Sequence, residues 1–167
     1  AAAGASSASP IFVTGLPRTG TTLVDRILSS HSQVVSVGES QQFAVALKRA
    51  TGVRSPHVFD PPTLARLPTI DFAAAGRAYV AAVAPTDRPP RFVDKTPLNV
   101  LCLGAIARAL PAAALVVVRR HPLDSIVANY RQLFATGAGS YRYSLDLDDL
   151  ARYYAEFDRL VAHWRVV

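Results

Sequence analysis

Methionine is absent from the 167 residues, cysteine occurs once and lysine only twice. Each scarcity excludes something. A lone thiol, Cys102, cannot form an intrachain disulfide, so the chain needs no oxidising compartment, and its apolar helical surroundings mark it as core. No Cys/His spacing suggests a metal site, so no metal is expected. No apolar run approaches a membrane span, and the stretch from Ala1 to Pro10 has neither the charged start nor the leucine-rich centre of a secretion signal. The expectation is a cytoplasmic protein with no membrane partner. Without methionine even at position 1, the chain reads as a piece of a longer protein, with 1–10 a linker and 11–167 one domain.

Because lysine is confined to Lys48 and Lys95, the formal charge of +6 is almost wholly guanidinium. Arginine binds planar oxyanions bidentately and stays charged, which suits phosphate or sulfate, although biased codon usage accounts for the count equally simply. The arginines are scattered rather than arrayed along one helix, and aromatic and basic residues do not interleave, so nucleic acid is not an expected partner. A hydrophobic content of 50% supports one sizeable core and no composition break divides the chain.

Apolar patterning predicts strands at Ile11–Thr14, Val34–Val37, Phe92–Asp94 and Ala114–Val118. Helices are predicted over Thr21–Ser30, with Leu23, Ile27 and Leu28 on one face, and over Gln41–Ala50, Ala73–Val83 and Leu98–Leu110. Two more run from Pro122 to about Phe134 and from Leu147 to Val166. The proline-rich stretch Thr51–Thr69 reads as a loop or a set of short helical turns, a possible lid, while Asp87–Pro90 and Thr136–Ser140 read as a turn and a Gly-rich loop. The order β-α-β-α-α-β-α-β-α-α predicts an α/β, P-loop-type three-layer fold: a mostly parallel central sheet flanked by helices, with ligands beyond the carboxyl ends of the strands.

Chemistry-bearing residues fall at those strand ends. Gly15-Leu16-Pro17-Arg18-Thr19-Gly20-Thr21-Thr22 fits the spacing of a nucleotide phosphate loop, but Thr21 stands where lysine is usual. Pro17 to Thr22 would wrap an anion, with Thr21 and Thr22 donating hydroxyl and amide hydrogens at the helix start. Glu39, directly after the second strand, is placed to take a proton from an incoming hydroxyl, or else to cap the next helix. Lys95 follows the third strand within reach of an anion or of solvent, and Arg119-Arg120 close the fourth as a second anion site at a helix start. His31 and His163 read as capping or surface residues, and His121 as a support beside Arg120. Tyr141, Tyr143, Tyr153, Tyr154, Phe157 and Trp164 read as the packing surface of the last helix, some of them able to line an acceptor pocket.

Taken together, P-R-T-G-T-T, G-E, D-K-T-P and V-R-R-H-P-L-D resemble the sulfotransferases, especially the bacterial and tyrosylprotein-type branch, over about Ile11 to Phe134. The resemblance implies 3′-phosphoadenosine 5′-phosphosulfate as co-substrate in a metal-free reaction, which gives the missing loop lysine a reason. It implies that Pro17, Arg18, Thr19, Gly20, Thr21 and Thr22 hold the 5′-phosphosulfate and Arg120 the 3′-phosphate. Glu39 would be the base, while Lys95 and Arg18 would stabilise the transferring group. The acceptor would be a hydroxyl of a carbohydrate, a tyrosine or a small molecule.

Two positions depart from the family pattern. Ala128 stands where a serine commonly follows the 3′-phosphate arginine, with Ser125 one turn earlier as a partial substitute. The chain stops at Val167, before the segment that usually completes the nucleotide site, so the C-terminal part of the domain is expected to be missing, and an upstream helical-repeat domain is expected as in some relatives. The alternatives are a P-loop nucleotide or small-molecule kinase, with Asp94 the nearest magnesium ligand, and a degenerate, non-catalytic nucleotide-binding module.

Overall fold

The computed structural model describes residues 9–84, 91–134 and 141–167; the expected turn at Asp87–Pro90 and the Gly-rich loop at Thr136–Ser140 lie outside them. Four strands, β1 (Ser9–Gly15), β2 (Val34–Gly38), β3 (Arg91–Asp94) and β4 (Ala114–Val118), form one sheet in the order β2-β3-β1-β4, every pairing parallel. Between them run α1 (Thr21–Ser29), α2 (Gln42–Thr51), α3 (Pro61–Arg66), α4 (Phe72–Val83) and α5 (Leu103–Ala109), and after β4 come α6 (Pro122–Tyr130) and α7 (Leu147–Trp164). The α/β architecture with helices around a parallel sheet is therefore the one expected, and the parallel crossovers carry all four strand carboxyl ends to one edge.

β1 lies between β3 and β4 and is buried from Pro10 through Gly15, which is why it reads as a continuous apolar run rather than an alternating one. Ile11 and Val13 face the side covered by Val24 and Leu28 of α1, and Phe12 faces the larger core. There Phe12 stacks on Tyr79 with ring centroids 5.4 Å apart and meets Phe43 edge-on at 5.8 Å. Burying these rings contributes on the order of 2 kcal/mol each. β1 begins at Ser9, two residues before the expected start. Pro10 is tolerated there because β4 pairs with β1 only from Ile11 onward, so its missing N–H faces no ladder partner on that side.

Three helices differ from expectation. On α1, Leu23 and Ile27 are 65% and 61% exposed while Val24 and Leu28 pack on the sheet. The helix carries two adjacent apolar i,i+4 pairs, and the sheet takes the second. The expected helix Leu98–Leu110 divides into a 3₁₀ segment, Pro97–Cys102, and α5. Thr14 Oγ1 donates to the Pro97 carbonyl at 2.6 Å and Trp164 Nε1 to the Val100 carbonyl at 2.9 Å, so carbonyls that an α-helix would use are engaged elsewhere. α6 stops at Tyr130, where the Gln132 amide closes a tight turn onto the Asn129 carbonyl at 3.1 Å.

Thr51–Thr69 contains the short helix α3 and a 3₁₀ turn, in line with the short helical turns expected. Asp60 caps α3 by accepting from the Thr63 amide at 2.9 Å, and Pro61 follows at a position needing no donor. Asp146 caps α7 in the same way, and Leu150, Tyr154, Phe157 and Val161 form its buried stripe, which confirms Tyr154 and Phe157 as packing residues.

Candidate active site

The first loop leaves β1 under steric constraint. A Cβ on Gly15 would stand 2.4 Å from the Val118 carbonyl oxygen, so only glycine lets β1 and β4 end side by side. Arg18 has φ 63°, a left-handed conformation that costs a non-glycine residue about 1 kcal/mol, and its side chain is exposed. Three contacts hold this shape. Thr19 Oγ1 donates to the Leu16 carbonyl at 2.7 Å. Asn129 Nδ2, from α6, donates to the Pro17 carbonyl at 2.9 Å, and Arg120 Nη1 to the Arg18 carbonyl at 3.4 Å.

Gly20 is the N-cap of α1, and no side chain caps its first turn. The amides there, near Thr21 and Thr22, have no intrahelical acceptor and carry the positive end of the helix dipole, which is a receptor for an anion. Thr21 is buried and Thr22 exposed; Thr19 spends its hydroxyl on the loop itself. Ser125 is buried and its hydroxyl donates to the Arg120 carbonyl at 3.4 Å. Arg120 also lies 3.6 Å from Asp124, one turn along α6.

On the other side of β1 the register sets Asp94 opposite Phe12, and Gly38 beside Asp94, so the β2 and β3 ends lie together. The Lys95 amide donates to the Gly38 carbonyl at 2.9 Å, joining the two turns through the backbone. Their side chains then meet. Lys95 Nζ donates to Glu39 Oε1 in an ion pair whose lysine is 11% exposed and whose carboxylate is 59% exposed. Glu39 Oε2 makes no hydrogen bond among the described residues.

Behind this pair Asp94 is fully buried and turned into the core. Tyr79 Oη donates to its Oδ2 at 2.8 Å; Thr96 Oγ1 and Asn99 Nδ2 lie 2.6 and 3.4 Å from its Oδ1. Burial pushes the Asp94 carboxyl above the usual carboxylate range, outweighing donors that favour the charged form. Burial likewise pushes the Cys102 thiol up to about 12 and raises the Tyr79 phenol, so both stay protonated. A carboxyl enclosed in this way is not presented to a magnesium nucleotide, and the kinase reading loses its one magnesium ligand.

The expected site residues therefore form two groups on one edge: Glu39 touching Lys95, and the Arg18 loop touched by Arg120. Sequence reasoning missed Asn129, Tyr79 and Thr96, although Thr96 lay within a quoted motif. A cavity of about 750 Å³, lined by apolar residues such as Phe72, Leu115 and Trp164, shares no residue with either group. A smaller one of about 100 Å³, walled by Gly15, Pro17, Leu98 and Tyr153, adjoins the loop. Charge and open donors mark the site here more clearly than volume does. Among the described residues no His, Cys, Asp or Glu side chains gather as a metal site, and no helix is long and apolar enough to cross a membrane.

Comparison with known proteins gives a consistent result. A protein of Aquifex aeolicus (strain VF5), described as an uncharacterized protein, is 33% identical over 167 residues, covering 96% of this chain and 22% of its own length. The chain thus spans about a fifth of that relative. The profile of the sulfotransferase family matches residues 10–167, which include every group described above: the chain belongs to the sulfotransferase family.

Proposed function

We propose that the domain transfers a sulfuryl group from 3′-phosphoadenosine 5′-phosphosulfate to an acceptor hydroxyl of a carbohydrate, a tyrosine or a small molecule. The observation that carries this reading is the Glu39–Lys95 contact on the same sheet edge as an uncapped helix N-terminus. The loop fits a phosphosulfate: its glycine allows close backbone approach, its helix start offers free amides, and Arg18 stands exposed beside them. Arg120, tied to the Arg18 carbonyl, would hold the 3′-phosphate, with Ser125 supporting the Arg120 backbone rather than reaching the ligand.

In the transfer, the acceptor oxygen forms its bond to sulfur as the bond from sulfur to the bridging phosphate oxygen breaks. Glu39 takes the acceptor proton on Oε2, the oxygen that has no partner among the described residues. Lys95 supplies positive charge to the departing oxygen, and Arg18 to the equatorial oxygens. Positioning and electrostatics do most of the work because no covalent intermediate with the protein is required.

Titration calorimetry of the full polypeptide with 3′-phosphoadenosine 5′-phosphate and, separately, ATP tests the donor. Binding of the first and not the second is expected. Magnesium-dependent ATP turnover with no response to the sulfate donor would overturn the reading.

A further inference from the structure

Thr96 has one hydroxyl hydrogen and faces two acceptors. Its Oγ1 is 2.6 Å from Asp94 Oδ1 and 2.9 Å from the Ser40 carbonyl oxygen, both hydrogen-bond distances. One proton cannot serve both contacts. A carbonyl has none to give, so for both contacts to be hydrogen bonds the second proton has to sit on the carboxyl.

We propose that Asp94 is a protonated positioning residue: its Oδ1–H donates to Thr96 Oγ1, the Thr96 O–H donates to the Ser40 carbonyl, and this chain of donors sets the Glu39 turn against the Lys95 turn. Ser40 directly follows Glu39, and Thr96 directly follows Lys95, so the chain of donors joins the two reacting side chains from behind. It rests on the reading of Glu39 and Lys95 as base and leaving-group cation.

The surroundings suit a neutral acid. Tyr79 of α4 donates to Oδ2 and Asn99 Nδ2 approaches Oδ1 at 3.4 Å, while the Ser40 and Thr96 amides also favour the charged form. Burial opposes all of these, and the short Oδ1 contact to Thr96 Oγ1 is where the proton fits. Cys102, in the 3₁₀ segment, is a buried neutral thiol. Lys95, the nearest cation in sequence, has its ammonium engaged with Glu39 at the surface. An ionised Asp94 would instead draw the Thr96 hydrogen to itself and leave two oxygens, Thr96 Oγ1 and the Ser40 carbonyl, in contact without a hydrogen between them. Buried polar groups left unpaired in that way are costly.

Replacing the carboxyl by an amide separates a proton from a charge. In the full polypeptide, D94N supplies an N–H where the acid has its O–H and should keep kcat within about threefold, whereas D94A and T96V should lower kcat by about 10²-fold with the donor KM unchanged, as expected for misplaced catalytic groups. T96S, which keeps the hydroxyl, should restore T96V. D94N as slow as D94A would overturn the proposal.

A second measurement does not depend on turnover. The infrared difference spectrum of wild type minus D94N at neutral pH should show the C=O stretch of a carboxylic acid; a carboxylate band in its place overturns the assignment. If the acid band is present while the protein transfers no sulfuryl group, the proton on Asp94 stands and the catalytic reading of Glu39 falls.

Discussion

Both lysines of this chain are paired with carboxylates, and the two pairs behave differently. Lys48 and Asp60 lie 3.6 Å apart, only 14% and 13% exposed. Lys48 also donates to Ser55 and Thr63, and Asp60 accepts from the Ser55 hydroxyl and the Thr63 amide. Every strong partner is local, within the segment from α2 to α3, and the cluster ties that segment down. Lys95 and Glu39 are 56 residues apart, and the carboxylate stands out into solvent with one oxygen unengaged among the described residues. A saturated pair is architecture; a pair with an open acceptor is available to a substrate.

Substitutions at the two pairs should therefore separate activity from stability. The largest expected effect is in E39A, with kcat down by about 10²–10⁴-fold and nucleotide affinity by calorimetry nearly unchanged. Unaltered turnover would remove Glu39 from the mechanism and erase the contrast. K95A should follow, losing about 10²–10³-fold in kcat with a thermal transition close to that of wild type.

K48A should reverse that pattern. It removes the ammonium from Ser55, Asp60 and the 1% exposed Thr63 hydroxyl together, and breaking such a partly buried cluster costs about 1–3 kcal/mol. Thermal unfolding should show that loss while kcat per folded molecule is retained; a large fall in kcat at full stability would make the Lys48 cluster part of the site.

The smallest effect is on pH dependence, with opposite signs at two aspartates. Hydrogen bonds from Ser55 and Thr63, with Lys48 nearby, hold the Asp60 carboxyl well below its usual range. Its contribution is present above that range and disappears as pH falls through it, so D60N should flatten the acid limb of the stability curve. Burial raises Asp94 instead, so its neutral form favours folding at low pH and that contribution is lost as pH rises through its folded value. D94N should therefore gain stability relative to wild type as pH increases.

Much of the fold and of the site was legible in the residues themselves. Each strand is a short, mostly apolar run, and each charged group lies within three residues of its strand's end, so parallel crossovers were enough to predict one edge carrying Arg18, Glu39, Lys95 and Arg120. What escaped acts across long separations. Asn129 reaches Pro17 over 112 residues, and no local pattern announces that contact. The break within the expected helix from Leu98 is imposed by Thr14 and Trp164, and the face of α1 that meets the sheet is chosen by tertiary packing between two equally apolar pairs. Local preference decides that a helix forms; distant side chains decide where it bends and which way it faces.

The place of β1 inside the sheet has a consequence for how the protein is made. Of the four strands of this sheet β1 is made before the others; it pairs with β3 through Ser9 and Arg91, and with β4 through Ile11 and Ala114, so it waits until both have emerged from the ribosome. Closing such distant pairings is slow, and Ile11-Phe12-Val13 is exposed to chaperones and to other nascent chains in the meantime. The Gly15–Gly20 loop hangs from the end of that strand and borrows Asn129 and Arg120 from beyond β4. A nascent chain arrested before Ala114 lacks β4, Arg120 and Asn129, so the loop after β1 takes its final shape only once those residues have been made.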